Sequence, residues 1–255
     1  MATTNINPSQ SKRLIDSIFG NQTFAGARNN DTADSGNGNG PSDPDGIYYG
    51  ISMSSFAMLS HDQFVHAGLM MDFDLSSIST NITGLKLILY GKTSDTVSGA
   101  NNYDGDAIIL KGAFGDTIDN DDLNNFTGHQ DNWNSGDVTE FSSVFGPADG
   151  GSWSTSGNNE ITLNSDAVSD SNTQRDAGNR LKFYIVNKSR FYDDDQTNIG
   201  GTATNYYHKF NFIGNAGVTN QPILEVTHDD PITPPSKTTL KGGTFTIKGG
   251  TFIIK

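Results

Sequence analysis

The sequence predicts an all-β fold, an antiparallel sandwich of short strands, and three observations carry that prediction. The densest apolar stretch, Phe64 to Tyr90, alternates with period two. Leu69, Met71, Phe73 and Leu75 alternate with Gly68, Met70, Asp72 and Asp74, and Leu85, Leu87 and Leu89 alternate with Lys86, Ile88 and Tyr90. Such alternation turns one face of a strand to a core and the other to solvent or a second layer. Hydrophobic residues make up only 33% of 255 residues, and there are 29 Gly. That balance suits strands that need only alternate apolar positions, joined by polar loops. The strand patterns do not alternate with helical ones, which argues against a doubly wound parallel sheet.

The elements follow in order. Residues 1–40 read as an N-terminal arm in which Pro8 to Phe19 forms one short helix. Leu14, Ile15, Ile18 and Phe19 share a face, and Gly20 stops it. That helix either covers an open end of the sandwich or docks on a neighbouring subunit. Residues 29–46 are loop by composition. The sandwich occupies 41–230. Ile47 to Leu59 gives one strand or two short ones, and the pair within Phe64 to Tyr90 is the scaffold to which the others are fitted. Its connector, Ser76 to Gly84, carries turn-forming side chains, and Asp72 and Asp74 are expected to be outward-facing strand acids. Ala107 to Lys111, Val138 to Phe145 and Glu160 to Leu163 are short strands, and Asp116 to Ser135 is a long polar segment. Ser165 to Gly178 is expected to carry a turn or two of helix. Arg180 to Phe191 is a strong strand, and Tyr206 to Ile213 and Pro222 to His228 close the domain.

Residues 231–236 are a stiff, Pro-rich linker. In 237–255 the sequence repeats every seven residues, as Leu240-K-G-G-T-F-T and Ile247-K-G-G-T-F-I. A meander with Gly-Gly turns is the simplest reading, and a β segment wound from several chains is the alternative. Two or three such strands are too few to be stable alone. The tail therefore packs on its own sandwich, on symmetry mates or on a partner. Leu240, Phe245, Ile247, Phe252 and Ile254 would supply that contact, with Leu14 and Ile18 doing the same from the arm. The tail holds four Lys and no acid. The other 12 of the 16 basic residues and all 29 acidic ones precede it, so +4 faces −17.

The net charge of −13 argues against nucleic-acid binding, which needs a basic footprint. Only Glu140, Glu160 and Glu225 are Glu; the remaining acids are Asp, a residue of turns and caps. With no Cys there is no disulfide, thiolate metal site or Cys nucleophile. Met1 to Gln10 is polar and no apolar h-region follows, so no signal peptide is predicted. No apolar run is long enough to span a bilayer, and no membrane partner is expected.

Catalytic patterns are missing. There is no G-x-S-x-G elbow and no H-E-x-x-H, and His61, His66, His129, His208 and His228 sit in no paired motif. His66 and His228 fall in strands, where a structural role is the commoner outcome. A pair of Asp for glycoside hydrolysis cannot be picked out among so many, and the chain is read as not an enzyme. No cofactor is required. Calcium is the ion that the Asp-rich loops would suit. Asp104 with Asp106, or Asp193, Asp194 and Asp195, are the candidate ligands, set against plain turn formation. For a glycan, Trp133, Trp153 and Tyr192 are the aromatic candidates, set against buried packing.

Three segments carry a family resemblance. G-L-M-M-D-F-D-L-S-S-I at Gly68 to Ile78, followed by I-T-G-L-K-L-I-L-Y at Ile82 to Tyr90, resembles the "L-x-F-D-L-S-x-I … A-x-L-x-L-Y" signature of DNRLRE-type, disaggregatase-related jelly-roll modules of bacterial surface and carbohydrate-active proteins. N-R-L-K-F-Y-I-V at Asn179 to Val186, Y-Y-H-K-F-N-F at Tyr206 to Phe212 and Q-P-I-L-E-V-T at Gln221 to Thr227 are similar to the ending of those modules. The resemblance runs from about Ile47 to His228. The middle diverges, and Trp133 and Trp153 only loosely echo the family's tryptophan segment. It implies an antiparallel jelly-roll sandwich of roughly eight to ten strands. Because the fold hosts glycan binding and structural roles alike, function must be argued separately. Short β-rich C-terminal repeats of this kind are similar to those of bacteriophage virion proteins. The expected function is therefore that of a virion surface protein, a capsid decoration or a head- or tail-fibre component that stabilises the particle or adheres to the host. Its partners would be copies of itself, the major capsid or tail protein, and a host-surface glycan. The competing readings are a carbohydrate-binding module of a secreted or surface protein and, more weakly, a polysaccharide-degrading enzyme.

Overall fold

Strands form where the period-two pattern recurs. The computed structural model describes residues 1–16, 35–38, 47–56, 61–92, 107–129, 135–146, 154, 156–194, 204–205, 208–210 and 220–231. In chain order the strands are β1 (Ala2–Ile6), β2 (Gln10–Asp16), β3 (Ser35–Gly38), β4 (Ile47–Phe56), β5 (His61–Asp74), β6 (Ile82–Lys92), β7 (Ala107–Lys111), β8 (Asn158–Thr162), β9 (Arg180–Asn187), β10 (Thr204–Asn205), β11 (His208–Phe210) and β12 (Ile223–His228). Among the described residues one α-helix, α1 (Ser165–Ala177), lies between β8 and β9. The fold is mostly β, as the alternation predicts.

The strands build two antiparallel sheets. The first runs β1–β12–β6–β8. In the second, β2 and then β3 flank one side of β5. On its other side β4 pairs the first half of β5 and β9 the second half, with β7 outside β9. β11 pairs with both β4 and β6 and so joins the sheets along one side, while β10 adds to β4. Opposite, the expected strand Val138 to Phe145 is only a run of backbone bridges. It meets β7 at Ala107–Phe145 and Leu110–Glu140, and the end of β8 at Ser142–Leu163.

The scaffold pair β5 and β6 does not share hydrogen bonds. The two strands lie in opposite sheets and face each other across the main core. Leu69, Met71 and Phe73 meet Leu85, Leu87 and Leu89 there, with Leu181, Phe183 and Ile185 of β9, Ile109 of β7, and Leu224 and Val226 of β12. Burying each such side chain contributes about 2 kcal/mol. The second sheet is buried on its other face too. Met70, Ile108, Leu110, Tyr184 and Val186 pack beneath Phe114, Ile118, Leu123 and Phe126 of the segment 112–129. This double burial explains the near-continuous apolar runs of β7 and β9, since each face has its own core.

Two expectations for the N-terminal segment are corrected. The residues Gln10–Asp16 are a strand and not part of a helix. Their backbone pairs with Asp72 to His66 of β5 over seven consecutive positions. That ladder outweighs a short stretch of helical spacing, an instance of tertiary pairing overriding weak local preference. Leu14, expected to dock on a neighbour, is fully buried in the outer core. Ile18 lies outside the described residues.

Helix α1 is longer than the one or two turns expected, at 13 residues. Its sequence has no apolar stripe, and polar contacts hold it. Ala167 is buried in the main core, with Val168 packed against it. The Asn172 side chain bonds the backbone of Ile82 at both N and O, each at 2.9 Å. Arg175 donates to the Thr80 carbonyl. The helix so closes one end of the sandwich. Asn164 caps it, accepting from Asp166 N and Ala167 N at 3.1 Å and donating to the Glu140 carbonyl at 2.8 Å. Gly178 ends it at φ 71°, a left-handed conformation in which glycine carries no Cβ penalty. Asn164→Ala should cost about 1 kcal/mol, read as a fall in thermal midpoint with unchanged far-ultraviolet dichroism. No change would mean that the helix is held by its tertiary bonds alone.

Candidate functional site

The site begins with two cations on β9. Arg180 and Lys182 are two residues apart and so project from the same face. That is the outer face, which Tyr184 and Val186 continue into the apolar layer. Where the cover begins, at Gly112 to Asp116, the chain crosses in front of Lys182. Helix α1 brings Asp170 and Gln174 to the opposite wall, and Lys111 ends β7 between them. These segments enclose a cleft of about 270 Å³.

Each cation is fixed by one structural bond. Arg180 Nη1 donates to Asp72 Oδ2 at 3.0 Å. Lys182 Nζ donates to the Phe114 carbonyl at 2.6 Å and lies 5.5 Å from the centre of the Phe114 ring. Its carboxylate neighbour, Asp116, is 3.9 Å away and 98% exposed. Lys111 Nζ meets Asp170 Oδ1 at 2.6 Å, and Gln174 donates to the same oxygen at 3.0 Å. The hydrogen bond and charge of Asp72 hold the Arg180 guanidinium above its ordinary pKa.

Asp72 keeps the outward face that alternation gives it, since Met70 on the same face packs in the outer core, but it is fully buried beneath the cover. It stays inside because its oxygens are satisfied. Besides Arg180, it accepts from Gln10 N at 3.1 Å and Gln10 Nε2 at 2.7 Å. Gln10 also donates to the Asp116 carbonyl and accepts from Ile118 N at 3.2 Å. The knot therefore ties β2, β5, β9 and the cover at the floor of the cleft. Asp74 is exposed, as expected. The Ser76 amide donates to it at 2.8 Å and holds its carboxyl below the usual carboxylate range.

The residues singled out from sequence stand elsewhere. Asp193 pairs with Lys188, and Asp194 follows in a left-handed backbone conformation at φ 56°. Among the described residues no group of three or more His, Asp or Glu could hold a metal ion. Asp104, Asp106 and Asp195 lie outside the described residues. Tyr192 is not an exposed platform for a sugar. Beyond Asn187 the chain turns into a π-helical turn, Lys188–Tyr192, instead of continuing as strand to Phe191. This carries Tyr192 into the outer core at 4% exposure. Its hydroxyl donates to Glu140, and Lys188 Nζ covers its ring at 4.7 Å. Burial, and then Glu140, push its phenol pKa up. Trp133, Trp153, Leu240, Phe245, Ile247, Phe252 and Ile254 lie outside the described residues. His228 is structural, as expected, with ring nitrogens 3.0 Å from Thr4 Oγ1 and 2.9 Å from Thr80 Oγ1.

Sequence reasoning missed Lys111, Asp170, Arg180 and Lys182. The one local signal was Arg180-x-Lys182, two like charges on one strand face in an acidic chain. Chemically the cleft offers fixed donors and acceptors, and none of its lining residues is a hydroxyl or thiol nucleophile beside a base. No helix among the described residues is long and apolar enough to cross a membrane. A scan against protein-family models and a search of curated proteins both return no match for this chain.

Proposed function

We propose that the chain is a structural virion protein of a bacteriophage, a jelly-roll module displayed on the particle and attached through its C-terminal repeat. The observation that carries this reading is the charge contrast between the sandwich and the sequence that follows it. The last strand among the described residues, β12, is clamped between β1 and β6. From its end the sequence passes through the Pro-rich linker into a lysine-bearing repeat of +4, against −17 for the rest. A basic tail that follows an acidic module in sequence suits capture by acidic neighbours, whether other copies or a shell protein, and strand addition would supply its backbone bonds. The jelly-roll description is supported by the path of the chain. From β5 through β6, β7 and β8 to β9, each strand falls in the sheet opposite the one before. A structural role is further supported by how the acids are used: Asp72, Asp170 and Asp193 are each paired with a cation.

Deletion of residues 237–255 tests the proposal. Light scattering should show the full chain as an oligomer and the truncated chain as a monomer, and truncation should abolish co-sedimentation with particles. Unchanged assembly and incorporation after truncation would refute attachment through the tail.

A further inference from the structure

We infer that the cleft between β9, the start of the 112–129 cover and helix α1 binds a sugar acid, a polyhydroxylated ring bearing one carboxylate. The inference extends the adhesion side of the proposal above, because it names what a displayed module would hold.

The charge arrangement points to the carboxylate. Arg180 and Lys182 stand side by side; Asp72 behind Arg180 is buried, and the exposed Asp116 lies 3.9 Å from Lys182. Asp72 has no exposed surface, whereas the Arg180 side chain is 38% exposed. Lys182 is held by a neutral carbonyl. The lining thus sets three cations, Arg180, Lys182 and Lys111, against two carboxylates, Asp116 and Asp170, although the chain as a whole is strongly acidic. Both donors are already ordered by their structural bonds, so a carboxylate entering between them meets donors that need not be immobilised. Charge-assisted bonds of this kind are the strong ones.

The other wall points to hydroxyls. Asp170 and Asp116 only accept, while Gln174 and Asn179 both donate and accept. A hydroxyl needs both kinds of partner. Sulfate, which only accepts and carries two charges, has no hydroxyl to offer Asp170 and Asp116. Nucleic acid is disfavoured for the same reason and by the net charge of −13. At about 270 Å³ the cleft is at the small end of ligand sites, which suits one ring and not an extended chain.

Titration of the full-length chain with D-glucuronate, followed by amide chemical shifts and calorimetry, tests this. Saturable binding is expected with a dissociation constant on the order of 1 mM, a weak single-ring affinity. Glucose should bind at least tenfold more weakly, and inorganic sulfate should not compete. Lys182→Gln keeps a donor for the Phe114 carbonyl but removes the charge, and should weaken glucuronate binding at least tenfold. Asn179→Ala alters only an exposed amide at the rim. It should weaken binding several-fold with an unchanged melting temperature, which keeps the test decisive if Lys182→Gln unfolds. The inference is overturned if glucuronate does not bind, if glucose binds equally, if sulfate competes, or if Asn179→Ala and a folded Lys182→Gln bind like the parent. This titration reads the cleft alone, and the tail deletion reads attachment alone, so the two proposals fail separately.

Discussion

Replacing Asp72 by Ala is expected to cost the sandwich about 3 kcal/mol, a large share of the roughly 5–15 kcal/mol that holds a domain together. The carboxylate has no exposed surface and receives Arg180 at 3.0 Å with two bonds from Gln10. Its removal strips acceptors from the residue that links β2 to the cover. The cost stays moderate because Arg180, being 38% exposed, can return its charge to water. The reverse change should be worse. Arg180→Ala leaves a carboxylate buried with only amide partners and is expected to cost about 4 kcal/mol, since an uncompensated buried charge carries a several-kcal/mol penalty. Urea unfolding of both single variants and the double variant would decide the matter. The expected order is Arg180→Ala worse than Asp72→Ala, and the double variant well short of the sum. Equal losses, or a sum that is strictly additive, would show that the two groups do not act as a pair.

That pair also shows what the sequence can and cannot reveal. The core faces of Leu69, Met71 and Phe73 and of Leu85, Leu87 and Leu89 were legible because strand periodicity alone assigns a side chain to a face, whereas their placement in opposite sheets was not. The burial of Asp72 was not legible. It depends on Arg180, 108 residues away, and on a covering segment that no local rule places over an outward-facing acid. The outer core was hidden for a related reason. Phe114, Ile118, Leu123 and Phe126 are spaced without strand or helix period, because the segment that carries them covers a sheet without joining it. Helix α1 was underread because its attachment is polar, through Asn172 and Arg175. Tyr192, offered as a glycan platform because it falls just past the expected strand, is instead carried into the outer core by the π-helical turn after Asn187. The cleft combines the difficulties of the cover and of α1. Its cations are local to β9, but its acceptors arrive from α1 and the cover, so composition could not assemble it.

Gly68→Ala is the second change expected to have a large effect, and its cause is a single ring. A Cβ at position 68 would stand 2.1 Å from Tyr184 Oη and 2.5 Å from Cζ. A clash with the end of a mobile side chain is cheap, but Tyr184 is fully buried. Its hydroxyl accepts from Asn124 N at 3.2 Å, and its ring centre lies 5.2 Å from that of Phe126. Nor can the backbone withdraw. Gly68 is registered against Leu14 of β2, and the adjacent Ala67 and Leu69 are paired to β4 and β9 on the other side. The glycine therefore sits where β5 changes partners, and the tyrosine ring fills the space that its missing side chain leaves. Overpacking at a site that cannot relax should cost about 3 kcal/mol, at the upper end of the usual range. Tyr184→Leu alone should also destabilise, because it empties part of the outer core and removes the acceptor for Asn124. If the clash is the cause, the two changes compensate. The double variant should then be more stable than the sum of the single losses predicts, by about 1–2 kcal/mol in a denaturation cycle. Strict additivity would instead place the cost of Gly68→Ala in the backbone of β5, and the ring would no longer explain why that strand has a glycine at its midpoint.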